Sequence, residues 1–362
     1  VKAVIFGASG YGGAELIRSL GVHPSFEVVG LSGGANAGAT LGEIYPHLET
    51  SSFGEMVLFD TDGLCDFIEH NQVDLAFLAL PNNTATKIVP RIIDKVSCVI
   101  DLSADFRLKD PSLYESYYGY VHPEPKLLEE AVYGLCELNR SQLIGAKLIA
   151  APGCYVTAST LALFPFLDQS IIDSNNVVIS AVSGVSGAGR GSSVANLFSE
   201  IDSNVMAYGL FGHRHRPEIE QNLGSSVLFI PHLVPMTRGI LATCFGDLSG
   251  EVAGELGLSH VSDITAKSSL LSRYLNGLLS DFYSGDQFVE VLAPGVSPRT
   301  KSTLGTNNAL VSVSYDAQTN KVIVLAAIDN MVKGAAGQAI QAANIAFGLA
   351  EDAGLSKVSF YP

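Results

Sequence analysis

At 362 residues the chain is longer than one hydrophobic core ordinarily fills, and an apolar fraction of 47% supplies enough for two. Charged residues at only 16%, together with 36 glycines, exclude a disordered chain and fit an α/β enzyme with buried strands and many tight turns. A formal charge of −15 without any Lys/Arg run excludes a nucleic-acid partner, which needs clustered cations, but leaves small anions open to single arginines and helix N-termini.

In the first third of the chain, apolar runs of strand length alternate with helix-like segments. KAVIF (2–6) is followed by a helix from Gly12 to Leu20, FEVVGLS (26–32) and a helix-like stretch near Leu64 to Glu69. VDLAFLAL (73–80), a helix from Thr84 to Lys95 and SCVIDLS (97–103) continue the series. Strands with so few polar positions, separated by helices, predict a Rossmann-like parallel sheet covered on both faces.

Leu148 to Leu167 carries no charge, but prolines and hydroxyl side chains interrupt it, so it reads as a buried strand turning into a buried helix rather than a membrane span. Beyond it come longer strand candidates: NNVVISAVSG (175–184), SSVLFIPHLV (225–234), GILATCFGDL (239–248), NALVSVSY (308–315) and NKVIVLAAID (320–329). With fewer helices between them, these predict an α+β domain around a mixed or antiparallel sheet. Met331 to Glu351 returns to helical periodicity. The expected division is residues 1–150 with 331–362 as the dinucleotide-binding domain, and 151–330 as a second domain. VKAVIFGASG lacks the basic flank and long apolar stretch of a signal peptide, so a cytoplasmic location is expected, with no membrane partner.

VIFGASGYGGAEL sets Gly7, Gly10 and Gly13 between a strand and a helix, a variant of the dinucleotide fingerprint. These glycines would supply a tight turn, close approach of backbone to pyrophosphate and close helix packing. Ser9, Tyr11 and Gly12 within the loop, and Pro81 just past the third strand, count as further cofactor contacts. An NAD site usually carries an acidic residue at the end of the second strand, for the ribose 2′-hydroxyl. Here that strand ends in Leu31, Ser32, Gly33 and Gly34, with no acid before Glu43. NADP is therefore the expected cofactor, with Ser32 and loop amides as donors to the 2′-phosphate.

Five cysteines (Cys65, Cys98, Cys136, Cys154 and Cys244), with no CxxC pair, fit neither a disulfide framework nor a zinc site, and no metal is expected. Cys154 stands apart in AAPGCYVTASTLALF, where Pro152 and Gly153 break a strand and an apolar helix begins. The positive end of that helix would stabilise a thiolate and make it nucleophilic. Its proton partner is sought in GHRHRPEIEQ, where His213 and His215 flank Arg214; either histidine fits the role, and the arginines point to an anionic substrate. SGVSGAGR (183–190), with Ser183, Gly184 and Gly187, has the glycine density of a loop whose backbone passes close to a ligand.

These segments, with DLSADFR (101–107), YYG (117–119), YGLCELNR (133–140), PGCY (152–155), HRHRPEI (213–219), PHLVPMTRGI (231–240) and DNMVKGAAGQA (329–339), run in one order across nearly the whole chain. In that order the sequence resembles the N-acetyl-gamma-glutamyl-phosphate reductase family of arginine biosynthesis. The resemblance implies a fold like that of aspartate-semialdehyde dehydrogenase and glyceraldehyde-phosphate dehydrogenase, with a homodimer or homotetramer formed through the catalytic sheet. It also implies Cys154 as catalytic nucleophile, His215 as acid/base, Arg107 and Arg214 (beside His213 and Ser183) at the substrate anion, and Asn330 near the nicotinamide. Two positions depart from the pattern: Val156 replaces a proline of the family's PGCYPT, and Gly33 stands where the loop after the second strand often has arginine.

The expected reaction is NADPH-dependent reduction of N-acetylglutamyl phosphate to the 5-semialdehyde, with release of inorganic phosphate from a Cys154 thioester. Alternatives are the same chemistry on aspartyl phosphate or on a carrier-bound glutamyl phosphate, the latter disfavoured by the low basic content, and, more remotely, a catalytically silent NADP-binding sensor.

Overall fold

The computed structural model describes residues 1–250 and 261–361. The described residues divide into two compact units: Val1–Gly153, Gly189–Gly191 and Ala335–Ser356 form the first, and Cys154–Ala188 with the described residues of 192–334 and 357–361 the second.

Six strands build the first unit: β1 (Lys2–Phe6), β2 (Glu27–Ser32), β3 (Leu75–Leu78), β4 (Cys98–Asp101), β5 (Val132–Tyr133) and β6 (Leu148–Ala150). All pair in parallel, in the order β2-β1-β3-β4-β6-β5. Because side chains alternate across a sheet, each strand feeds two cores. Ala3 and Ile5 of β1, with Leu75 and Phe77 of β3, join one core, whereas Val4, Phe6, Ala76 and Leu78 join the other. Helix α1 (Tyr11–Leu20) and the C-terminal helix Gly337–Ala346 cover the first face; α2 (Thr61–His70) and α3 (Ala85–Ile92) cover the second. Double coverage is why these strands read as near-continuous apolar runs.

Polar side chains fix the C-terminal helix in place. Asn344 Oδ1 accepts from His23 Nε2 at 2.9 Å, while its Nδ2 donates to the Glu351 and Ala353 carbonyls. His23 Nδ1 in turn accepts the Ser25 and Phe26 N–H groups, so the ring is held neutral, in keeping with burial pushing its pKa down. Gln338 Nε2 donates to the Gly134 carbonyl and Glu137; Gln341 Nε2 donates to Glu137 and Glu351. Glu137 lies on α4 (Cys136–Leu143), so these amides seat the helix on a fixed partner.

DLSADFR gives this unit its buried carboxylates. Asp105, fully buried, accepts the backbone N–H groups of Asn83, Thr84, Ala85 and Thr86 and the Tyr120 hydroxyl. It thereby caps α3 from a distant point in the chain, meeting the donors that a helix start leaves open. His122 Nε2 donates to the Asp105 carbonyl while its Nδ1 accepts the Glu124 N–H, which makes this histidine structural. Asp101 lies beside it with its pKa raised to about 7, first by burial and then by the Asp105 charge.

The second unit starts with α5 (Cys154–Asp168) and holds a seven-stranded sheet. Its strands are β7 (Val177–Ser183), β8 (Met206–Ala207), β9 (Val227–Leu233), β10 (Ile240–Asp247), β11 (Val289–Val291), β12 (Ala309–Asp316) and β13 (Lys321–Ile328). The order is β11-β12-β13-β10-β7-β9-β8; the β7–β9 and β11–β12 pairs are parallel and the others antiparallel. Strict alternation of buried and partly exposed residues along β7 and β10 shows one face packed and one open. α5 lies across β10, β12 and β13 on the packed face, and α6 (His215–Leu223) packs against α5.

One long element departs from the expected pattern of strands with few helices: α7 (Ile264–Phe282) spans 19 residues against β12. Asp263 caps it by accepting the Thr265 and Ala266 N–H groups, and Leu271, Leu275 and Leu279 bury one stripe. Among the described residues no helix is long and apolar enough to cross a membrane.

Asp105→Ala should lower the urea-unfolding midpoint by the equivalent of about 3 kcal/mol, since the α3 donors and the Tyr120 hydroxyl lose a buried charged acceptor. Asp105→Asn, which retains one acceptor oxygen, should lose less; equal losses would mean that the carboxylate does not carry the cap.

Candidate active site

In the first unit the strand order reverses between β1 and β3, the switch point where open α/β sheets bind ligands at their carboxyl ends. Gly7 follows β1 with φ +82°, and a side chain there would collide with the Ala79 carbonyl beyond β3. At Gly13 a side chain would strike Gly7 O and the Ala8 backbone. α1 begins after Gly10 with no side-chain cap and no acidic residue in its first turn. A cradle that side chains would fill, below an uncapped helix N-terminus, fits a pyrophosphate.

Of the other residues assigned to the cofactor, Tyr11 and Pro81 are exposed and Ser9 and Gly12 half-buried near this loop, whereas Ser32 is buried. Gly7 N–H donates to Ser32 Oγ and Ser9 Oγ to the Gly33 carbonyl. Ser32 thus braces the glycine turn from within. Tyr45, absent from the sequence reading, donates its hydroxyl to the Ser9 carbonyl at 2.8 Å.

Arg107 belongs to this unit as well. Its Nε donates to the Ala151 carbonyl at 2.7 Å and its Nη2 to the Leu102 carbonyl at 2.8 Å. The guanidinium therefore steadies the chain just ahead of Pro152 and Gly153.

In the second unit Cys154 is the first residue of α5, half-buried, with no acidic residue in the first helical turn. The next turn is closed on all sides, and Val156 is fully buried. Gly334 comes so close that a side chain there would meet Cys154 Cβ at 2.7 Å, a second glycine requirement that the DNMVKGAAGQA segment carries without announcing it.

Tyr155 ties the thiol's neighbourhood together. Its ring meets His213 edge-on at 5.8 Å and His215 at 5.9 Å, and its hydroxyl donates to the His232 carbonyl. Burial first, and the neighbouring Tyr208 and Cys154 after it, push the Tyr155 pKa up; burial does the same to Tyr208, so both phenols keep their protons.

The two histidines separate here. His215 opens α6, and its backbone N–H donates to His213 Nδ1 at 3.1 Å. Burial and then the Arg214 charge lower the His213 pKa to about 4. His213 is therefore a neutral brace at neutral pH, and Arg214 is exposed at the start of the helix. Arg216 pairs with Glu220 on the same helix at 3.0 Å.

The glycine loop after β7 packs beside the PMTRG turn. A side chain at Gly184 would lie 2.8 Å from the backbone of Met236, Thr237 and Arg238, and one at Gly187 would lie 3.2 Å from Ser183 Oγ. Asn330 holds this arrangement: its Oδ1 accepts Gly239 N–H at 2.7 Å and its Nδ2 donates to Ser186 Oγ at 2.9 Å. Ser183, buried, donates its hydroxyl to the Gly184 carbonyl. Among the described residues no group of three or more His, Cys, Asp or Glu side chains is gathered to hold a metal ion.

Residues 2–146 match the family model "Semialdehyde dehydrogenase, NAD binding domain", and residues 154–330 match "Semialdehyde dehydrogenase, dimerisation domain". Full-length relatives carry the name N-acetyl-gamma-glutamyl-phosphate reductase. That of Heliobacterium modesticaldum is 41% identical over all of both chains, and that of Pelotomaculum thermopropionicum 43% identical over 100% of this chain and 99% of its own. Among solved structures, aspartate semialdehyde dehydrogenase II of Vibrio cholerae superposes with a TM-score of 0.67 at 16% identity, covering 95% of this chain and 97% of its own. The Candida albicans enzyme gives 0.61 at 16% identity, covering 95% and 98%. At these identities the solved structures speak for the fold.

The pKa of His213, about 4 when folded against an ordinary 6.5, sets a pH dependence. Between those values the unfolded chain takes up a proton that the folded chain refuses, so the site's contribution is complete above pH 6.5 and is lost as pH falls toward 4. At pH 5 the loss should be about 2 kcal/mol. Urea midpoints at pH 7 and pH 5 should fall further apart for the native chain than for His213→Gln by that amount; equal differences would return His213 to the solvent.

Proposed function

The chain belongs to the N-acetyl-gamma-glutamyl-phosphate reductase family, and from that premise we propose that it makes N-acetylglutamate 5-semialdehyde from the γ-acyl phosphate through a thioester on Cys154. The observation that carries the reading is the position of Cys154: first residue of a buried helix, faced by a glycine, with no carboxylate in the first turn.

The helix start favours thiolate over thiol, and the thiolate attacks the acyl carbon. The bond from that carbon to the phosphate oxygen breaks, inorganic phosphate leaves, and the thioester remains on Cys154. NADPH, cradled at Gly7, Gly10 and Gly13, supplies when bound the hydride that reduces the thioester carbonyl. Backbone amides at the start of α5 face the developing oxyanion. As the tetrahedral adduct collapses, the C–S bond breaks, the semialdehyde leaves and Cys154 regains its thiolate.

His215 moves the proton in these steps, because His213 Nδ1 is engaged by the His215 backbone and its ring stays neutral. Arg214, exposed beside it, receives the substrate anion, and we assign Ser183, at the end of β7, to the substrate as well. We assign Arg107 to the backbone it already holds, Ala151 and Leu102, where it sets the approach to Cys154. Asn330 sets the loops at Gly184 and Gly239, and we assign Asn330, Gly184 and Gly187 to the cofactor. The same reading places the enzyme in the cytoplasm.

Its oligomer forms on the open face of the second sheet. Val178, Phe245 and Ile323 stand in register across β7, β10 and β13, as do Val182 and Leu241, and all are partly exposed. An apolar patch of that kind on a sheet face marks an interface, here with a second copy.

Assayed in reverse with semialdehyde, inorganic phosphate and NADP, the native chain should form NADPH, and Cys154→Ser should reduce the rate by at least about 10³-fold while binding NADP normally. A serine variant of near-native rate would end the thioester route. Phe245→Glu should shift the sedimentation coefficient at micromolar concentration toward that of a monomer with the circular dichroism spectrum kept; an unchanged coefficient would move the interface elsewhere.

A further inference from the structure

The end of β2 poses a problem for an NADP enzyme. Ser32, Gly33 and Gly34 carry no cation, Ser32 is turned inward onto the glycine loop, and a side chain at Gly33 would lie 2.6 Å from Leu58 Cδ1. A phosphate monoester with nearly two negative charges is held best by a charged donor, and this loop carries none.

The structure supplies one from elsewhere in the sequence. Gly189–Gly191 is a three-residue part of the first unit, and its middle residue is Arg190. The Arg190 guanidinium lies over the Tyr45 ring, 4.7 Å from its centroid, and Nη1 donates to the Ser9 carbonyl at 3.0 Å. Ser9 Oγ is bonded to the Gly33 carbonyl, and the Tyr45 hydroxyl to the same Ser9 carbonyl. Tyr45 and Ser9 thus hold an exposed guanidinium beside the glycine loop, at the residue that bonds the Gly33 carbonyl.

We propose that Arg190 binds the 2′-phosphate of NADP and sets the preference for NADP over NAD, the place of a local arginine after β2 being taken by a residue far along the chain. This rests on the NADP reading above. Stacking on Tyr45 pre-orders the side chain, and the flanking glycines, with Gly189 at φ +82°, give the backbone the turn that brings the residue here. A planar fork meets a phosphate through paired hydrogen bonds, which lysine cannot reproduce.

The test is equilibrium binding to the enzyme without substrate. NADPH and NADH are titrated by nicotinamide fluorescence, and 2′,5′-ADP and 5′-AMP by calorimetry, for the native chain, Arg190→Gln and Arg190→Lys. Arg190→Gln should weaken NADPH and 2′,5′-ADP by roughly 10- to 100-fold and leave NADH and 5′-AMP within about twofold, with Arg190→Lys between. An equal loss for phosphorylated and unphosphorylated ligands would place Arg190 on the pyrophosphate or on the loop alone, and overturn the proposal. So would a variant that keeps the native preference for NADPH. A native chain that binds NADH as well as NADPH would instead overturn the cofactor reading, and the assignment with it.

Discussion

A helix that is apolar on every side can rest only where every side is covered, and α5 is such a helix. Sheet strands β10, β12 and β13 cover it on one side and α6 on another. Because its interior residues are fixed by packing, its first residue is fixed too, and that residue is Cys154. The partner helix α6 begins with His215, so the contact that buries α5 also sets the imidazole beside Tyr155, the thiol's chain neighbour. Side chains held by packed helices rather than by loops keep their geometry without a ligand, and the thioester route proposed for Cys154 draws on that pre-organisation.

The buried polar groups follow a consistent division of labour. Asp105, Asn330, Asn344 and the two histidines His23 and His213 each bond at least one backbone group, fixing loops and helix ends. Arg107 does the same with two carbonyls. Buried polar groups that find partners rigidify a fold, whereas Cys154, His215 and Arg190, to which we assign the chemistry and the cofactor, lie at half-buried or exposed positions.

Much of this was legible in the residues. Parallel strands showed themselves because burial on both faces leaves little polar alternation, and the turns at Gly7 and Gly184 because only glycine fits where backbones touch. α7 carried its signals, an Asp263 cap and leucines four apart, but lay among strand-like segments that set the expectation for the region. Spacing alone did not separate His213 from His215; in the fold the His215 backbone N–H donates to His213 Nδ1. Ser32 looked like a ligand donor because it ends a strand, yet strand parity turned it inward. Gly334 and Arg190 were hidden for a different reason: each matters through a residue far away in the chain, Cys154 for one and Ser9 for the other.

The seating of the C-terminal helix has a consequence for how the protein is made. Ala336, Ala339, Ile340 and Ala343 complete the core that Ala3, Ile5, Leu75 and Phe77 begin. During synthesis the ribosome delivers those early strands first, and the whole second unit must emerge before the segment that closes their open face. Throughout that interval the nascent nucleotide-binding unit presents a bare apolar surface, the condition under which chains aggregate or recruit chaperones. The sheet that carries the glycine cradle therefore gains its full core only after the second unit has been made.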